Sequence, residues 1–210
     1  MKRSDLQLYF IMGTVNVKNK QPLELLEAAL QAGITMFQLR EKGLGALTNA
    51  PYEHFARQCQ KLCQQYKVPF IINDDIDLAL KLKADGIHIG QDDFPVSRVR
   101  EKIGEMILGV SVHSAAELQL ALTNGADYVG IGPIYATSSK KDAKSPSGTG
   151  FLQQVRSQYP TLPIVAIGGI DCQNAETVLQ AGADGVAVIS AICESQNIHH
   201  TVATLTSFQK

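Results

Sequence analysis

Three stretches of this chain gather side chains of the types that bind phosphate or divalent metal. Gln38-Leu39-Arg40-Glu41-Lys42 carries an amide and two cations at alternate positions. Alternation along an extended strand aims Gln38, Arg40 and Lys42 to one side. Such a face suits an anionic ligand, and on its own it reads equally well as a salt-bridged strand end. Asn73-Asp74-Asp75 and Gln91-Asp92-Asp93 add carboxylates. Neighbouring carboxylates repel unless a cation lies between them, and Mg2+ typically takes one or two carboxylates together with phosphate oxygens and water. Helix N-capping by Asp75 and Asp92 is the competing use.

Further along, Ser111-Val112-His113-Ser114 presents hydroxyls and an imidazole. Gly132 to Lys140 supplies hydroxyls, backbone amides and a lysine, the parts of a phosphate cradle, although Ser/Thr-rich loops are common. Ile167-Gly168-Gly169-Ile170 and Val188-Ile189-Ser190 each run into a helical pattern. Glycine lets a backbone approach an anion closely, and barrels frequently bind phosphate between their last two loops. Two anion sites with a cation position between them favour transfer between two phosphorylated substrates.

Short apolar runs separated by helix-patterned segments must position these groups. Eight runs are legible: Leu8 to Gly13, Met36 to Arg40, Pro69 to Asn73, Gly86 to Gly90, Ile107 to Ser111, Tyr128 to Gly132, Ile164 to Ile167 and Gly185 to Ser190. That is the sequence form of successive βα units, and eight closes an α/β (β/α)8 TIM barrel, with chemistry at the C-terminal strand ends. The joints Lys83-Ala84-Asp85-Gly86, Gly125-Ala126-Asp127-Tyr128 and Gly182-Ala183-Asp184-Gly185 repeat one αβ turn. Ala136 to Gly150 breaks the rhythm, being rich in Ser, Lys and Gly, and reads as an active-site lid or a passive surface loop.

A chain of 210 residues suits one such domain spanning 1–210. The formal net charge of -1 gives no basic excess for nucleic acid. No apolar stretch approaches the roughly 18 residues that cross a bilayer, and the first apolar run suits a strand better than a signal peptide, so a cytoplasmic location is expected. Cys59, Cys63, Cys172 and Cys193 lack metal-type spacing and are expected to be reduced. A homo-oligomer is compatible with the sequence.

Gln38-Leu39-Arg40-Glu41-Lys42, Asn73-Asp74-Asp75, His88-Ile89-Gly90-Gln91-Asp92-Asp93, Gly132-Pro133-Ile134-Tyr135 and Ile167-Gly168-Gly169-Ile170 stand in the order and spacing of thiamin-phosphate synthases. The chain resembles that family from its first run to its eighth. The resemblance implies a magnesium-dependent transferase joining aminomethylpyrimidine methanol pyrophosphate to hydroxyethylmethylthiazole phosphate, giving thiamin phosphate and pyrophosphate. It implies that Gln38, Leu39, Arg40, Glu41, Lys42, Asn73, Ser111 and Lys140 hold the pyrimidine substrate, with Arg40, Lys42, Ser111 and Lys140 serving catalysis. Asp74 and Asp93 would hold the metal, and Thr137, Ser138, Ser139, Gly169, Ile189 and Ser190 the thiazole phosphate. It further implies a dissociative reaction, in which pyrophosphate leaves before the thiazole nitrogen attacks. Ala136 and Ser139 depart from the family's usual proline and threonine. Two rival readings remain. One is a thiazole tautomerase on the same barrel, using His113 for acid–base work; the other is a non-catalytic barrel that senses a phosphorylated metabolite.

Overall fold

A computed structural model describes residues 1–90, 94–139 and 145–208. Eight parallel strands close in sequence order into a barrel: β1 Leu8–Met12, β2 Met36–Leu39, β3 Phe70–Asn73, β4 Gly86–Ile89, β5 Ile107–Val112, β6 Tyr128–Ile131, β7 Ile164–Ile167 and β8 Gly185–Val188. Helices α1 Pro22–Ala32, α2 Asn49–Tyr66, α3 Ile76–Leu82, α4 Val96–Ile103, α5 Ala115–Thr123, α6 Gly150–Gln158, α7 Ala175–Gln180, α8 Ser190–Cys193 and α9 Ile198–Ser207 complete the chain. The strands read as continuous apolar runs because both faces are covered. Leu8–Met12, for example, is buried at every position.

Several strands are shorter at their C-terminal ends than the apolar runs. Gly13, Arg40, Gly90 and Gly132 lie beyond the last paired residue, and Ser190 opens α8 instead of ending β8. The chain leaves the ladder there to turn its polar residues over the barrel mouth. β5 errs the other way and runs on to Val112.

The helices bury one stripe each. α1 starts with Pro22, whose missing N–H has no partner to lose at a first turn, buries Leu25, Leu26, Ala29 and Leu30, and stops at Gly33, φ +105°. α2 buries Phe55, Ala56, Cys59 and Cys63 on one face. All four cysteines are free thiols. Burial raises those of Cys59 and Cys63, and pushes Cys193 up to about 12, so these three are inert packing groups.

The end of the barrel away from the mouth repeats one device four times. Near the start of each odd-numbered strand a backbone N–H donates to a side-chain oxygen in the turn before the next strand. The bonds are Leu8 to Thr35 Oγ1 at 2.9 Å, Phe70 to Asp85 Oδ2 at 2.8 Å, Leu108 to Asp127 Oδ2 at 2.8 Å and Ile164 to Asp184 Oδ2 at 2.7 Å. The backbone N–H of Thr35, Asp85, Asp127 and Asp184 donates in return to the same strand residue's carbonyl. This gives the aspartates of the three repeated joints their purpose. Arg156 reinforces the last clasp: it reaches Asp184 at 2.8 Å and donates to the carbonyls of Gly182, Tyr159, Pro160 and Leu162.

Candidate active site

The mouth is built from the loops that follow the strands. At the end of β2 the chain turns out of the sheet, so the alternation expected through Lys42 stops at Arg40. Gln38 faces the barrel interior and is 1% exposed, and Arg40 sits nearly buried at 8%. Leu39 points to the other face under the helices, fully buried; only its main chain can meet a ligand. Lys42 reaches instead to the loop after β3, where its ammonium lies 2.9 Å from Asp74 Oδ2. The Glu41 carboxylate accepts from the Thr14 hydroxyl, from the Thr14 N–H at 2.7 Å and from the Leu47 N–H at 2.8 Å. It staples two mouth loops together, a framework role within the set expected to hold the pyrimidine substrate. Gly13 is required beside this staple, because a Cβ there would fall 2.2 Å from the Arg40 carbonyl oxygen.

Asp74 adopts φ +61° in a tight turn closed by the Asp75 N–H on the Asn73 carbonyl at 2.8 Å. A non-glycine residue there is uncommon and stores strain of order 1–3 kcal/mol, a feature that clusters at functional sites. The turn brings the Asn73 amide to 2.6 Å from Asp74 Oδ2. Asp75 follows the competing use: it caps α3, accepting from the Leu78 N–H at 2.9 Å. Asp92, Asp93 and Lys140 lie outside the described residues, so the expected pairing of Asp74 with Asp93 is not on view.

A cavity of about 450 Å3 opens here, lined by Glu41, Lys42, Tyr52, Asn73, Asp74 and Phe94 among others. Its donors are carboxylate, amide and phenol oxygens, the hard set magnesium prefers. Among the described residues no cluster of three metal-ligating side chains occurs. The fit to Mg2+ rests on this oxygen set alone, with Asp74 and the Asn73 amide beside each other at the cavity. Lys42 supplies positive charge beside Asp74. Tyr52 is raised above the usual phenol range by burial, and further by the carboxylates of Asp75, Glu41 and Asp74, so it stays a neutral donor among acids.

In the barrel interior Ser111 Oγ lies 2.9 Å from His88 Nε2, and His88 Nδ1 lies 3.0 Å from the Tyr128 hydroxyl. Tyr128 in turn lies 2.9 Å from the Tyr9 hydroxyl, which accepts from the Gln38 amide at 2.7 Å. Tyr9, Tyr52 and Tyr128, and any role for His88, were missed by sequence reasoning. A polar-tipped side chain inside an otherwise aliphatic parallel run is the signal that marks the three interior residues. Tyr52, on an outer helix, offers no such signal.

Across the mouth, β6 and β7 stand four strands from β2 and β3 in the closed order. Gly168 and Gly169 adopt φ +101° and +63°. A Cβ on Gly169 would fall 2.4 Å from the Ala136 carbonyl oxygen, so this loop packs directly on the segment leading to Thr137, Ser138 and Ser139. The Ser139 N–H turns back onto Thr137 Oγ1 at 3.2 Å. Ser190, exposed, opens α8 next to buried Ile189. The far end of the Ala136 to Gly150 segment is tied down, with Ser147 and Gly148 donating to the carbonyls of Pro133 and Ile134. His113 is held by Glu117, whose Oε2 accepts its backbone N–H at 2.5 Å and lies 3.0 Å from Nδ1.

The model of the family described as thiamine monophosphate synthase matches residues 8–192. The thiamine-phosphate synthase of Lysinibacillus sphaericus (strain C3-41) is 65% identical over 210 residues, covering 100% of this chain and 99% of that protein. That of Geobacillus kaustophilus (strain HTA426) is 54% identical over 200 residues, covering 95% and 90%. Among solved structures, thiamine phosphate pyrophosphorylase from Pyrococcus furiosus superposes with a TM-score of 0.87 at 32% identity, covering 98% of this chain and 96% of that one. No helix among the described residues is long and apolar enough to cross a membrane.

Proposed function

This chain belongs to the thiamine monophosphate synthase family, and from that premise we propose how it joins 4-amino-2-methyl-5-(diphosphooxymethyl)pyrimidine to hydroxyethylmethylthiazole phosphate, giving thiamin phosphate and pyrophosphate. One observation carries the reading. A cation and carboxylate cluster on β2 and β3 faces a glycine-rich cradle on β6 and β7 across one barrel mouth. Two separate phosphorylated groups can be held there with their reacting ends over the barrel axis.

On the first side Gln38, Asn73 and Ser111 hold the pyrimidine, while Arg40, Lys42 and Lys140 meet its pyrophosphate. Asp74 with Asp93 would hold Mg2+, which supplies further positive charge toward the leaving group when bound. On the second side Thr137, Ser138, Ser139, Gly169, Ile189 and Ser190 hold the thiazole phosphate. The reaction is dissociative. The methylene C–O bond breaks with its electron pair departing on pyrophosphate, and the thiazole nitrogen then donates its lone pair to the pyrimidine carbocation. The chain supplies no nucleophile and stabilises charge that develops on departure. Lys42 is poised for this, because its half-exposed pairing with Asp74 is weak enough to exchange for a phosphate partner. The Ala136 to Gly150 segment excludes water that would capture the cation.

This reading goes with a cytoplasmic enzyme of small phosphorylated substrates and is compatible with a homo-oligomer. Incubating it with both substrates, with and without Mg2+, and following thiamin phosphate by chromatography tests the reading. Product in the presence of magnesium and its loss with chelator are expected; no product under either condition would sink it.

A further inference from the structure

Five buried or interior groups form one unbroken hydrogen-bonded row from Gln38 through Tyr9, Tyr128 and His88 to Ser111. Its two ends are residues assigned above to the pyrimidine. Its middle touches no solvent: Tyr9 is 1% and Tyr128 0% exposed. The neighbouring strands make room for it. His88, Gly109 and Tyr128 are register partners across β4, β5 and β6, so the two side chains meet over a glycine. A Cβ on Gly109 would lie 2.1 Å from Tyr128 Cζ and 2.5 Å from His88 Nδ1. Gly130, the register partner of Ser111, leaves a second gap, its Cβ position being 3.3 Å from His88 Cε1.

Each hydroxyl carries one proton, and an idle buried donor is costly. Tyr9 accepts from the Gln38 nitrogen, so its own proton goes to its other partner, Tyr128. Tyr128 must then donate to His88 Nδ1. His88 is thereby the Nε2–H tautomer and donates to Ser111 Oγ, which directs the Ser111 proton away from it. Burial raises both phenols, so neither breaks the row by ionising. At the other end the Gln38 oxygen accepts no hydrogen bond from the described residues and is left to a ligand.

We propose that the Tyr9, Tyr128 and His88 row is a polarity lock: it fixes Gln38 with its oxygen toward the mouth, so that the site accepts an amine donor on the pyrimidine ring and refuses a carbonyl at the same position. Tyr9 and Tyr128 are positioning residues, acting through Gln38 and Ser111. The inference rests on the pyrimidine assignment made above. A mirror-image row, with Gln38 flipped and every proton reversed, has equally satisfied members but presents N–H donors to the ligand. The amine on the substrate matches the direction found here.

Cutting the row tests it. In Tyr128→Phe, Tyr9 is released to donate to the Gln38 oxygen, and the amide is free to turn over. Competitive inhibition by 4-amino- and 4-oxo-2-methyl-5-hydroxymethylpyrimidine reads the consequence. The preference for the amino compound is expected to fall about tenfold, the scale of one lost or misdirected hydrogen bond. The KM for thiazole phosphate should stay that of the parent. Tyr9→Phe, which leaves Gln38 without its acceptor, should do the same. If both variants fold and keep the parent preference, or if affinity for all ligands falls alike, the tyrosines only fill space and the lock is refuted. The parent protein gives an independent reading that needs no variant. Nitrogen-15 NMR should find the His88 ring protonated at Nε2 and bare at Nδ1, and the opposite tautomer overturns the proposal. Absence of thiamin phosphate from the parent would refute the function instead, leaving the tautomer measurement standing as the test of the row.

Discussion

Replacing Gly169 by alanine separates what the β7 loop does for stability from what it does for the ligand. Gly169 holds φ +63°, and an alanine Cβ would sit 2.4 Å from the Ala136 carbonyl oxygen and 2.8 Å from Tyr135 Cβ. The left-handed conformation costs a Cβ-bearing residue roughly 1–2 kcal/mol. Forcing main chain apart adds on the order of 1–3 kcal/mol. At about 2–4 °C per kcal/mol for a chain of this size, the melting midpoint should fall by roughly 4–20 °C if the loop stays in place. Should it move, the Ala136 to Ser139 segment retreats from β7. Part of the stability then returns, and the KM for thiazole phosphate rises by about tenfold, equivalent to ~1.4 kcal/mol, with the KM for the pyrimidine substrate unchanged. Gly33→Ala is the control: Gly33 also has positive φ, but its Cβ position meets nothing within 4 Å, so only the backbone cost applies. Calorimetry with initial-rate kinetics measures both quantities. An alanine variant with parental midpoint and parental constants for both substrates would refute the packing argument.

Arg40→Ala should lower kcat by roughly a hundredfold, the few kcal/mol of a lost electrostatic contact to developing charge, while calorimetric affinity for thiazole phosphate is unaltered; equal loss in both contradicts the role. Arg156→Lys should destabilise by roughly 2–4 kcal/mol in denaturant unfolding, because lysine cannot reproduce the fork over four carbonyls and Asp184. Activity at low temperature should be normal, since the clamp lies at the end away from the mouth. Alkaline titration followed at 295 nm should find Tyr9, Tyr52 and Tyr128, whose phenols are raised by burial, ionising only as the protein unfolds. Their stabilisation is complete below the unfolded value near pH 10 and is lost as pH climbs toward the raised folded values. Three tyrosines titrating normally in the folded protein would contradict it.

The barrel was legible because period and punctuation agree. Each apolar run is bounded by turn residues, and the three Asp-containing joints are alike for a structural reason, the clasp each closes. The mouth was legible only by residue type. That Glu41 is a staple and Asp75 a helix cap depends on which backbone N–H groups come within reach, and spacing along the chain does not encode that. Lys42 followed the loop and not the strand period, because the sheet had already ended at Leu39. The interior row was hardest to see. Tyr9 and Tyr128 stand 119 residues apart, and only closure of the barrel makes them neighbours.

That separation bears on how the molecule assembles. The four clasps link residues 15 to 27 positions apart, so each encloses a short loop of chain. Closing short loops costs little entropy, whereas joining β1 to β6 through the Tyr9–Tyr128 bond waits on the long circuit. Each clasp can therefore form within its own strand-helix-strand unit before the ring is shut. The row that orients Gln38 and Ser111 belongs to no single unit: it draws on strands from β1 to β6 and is complete only when they stand around a common axis.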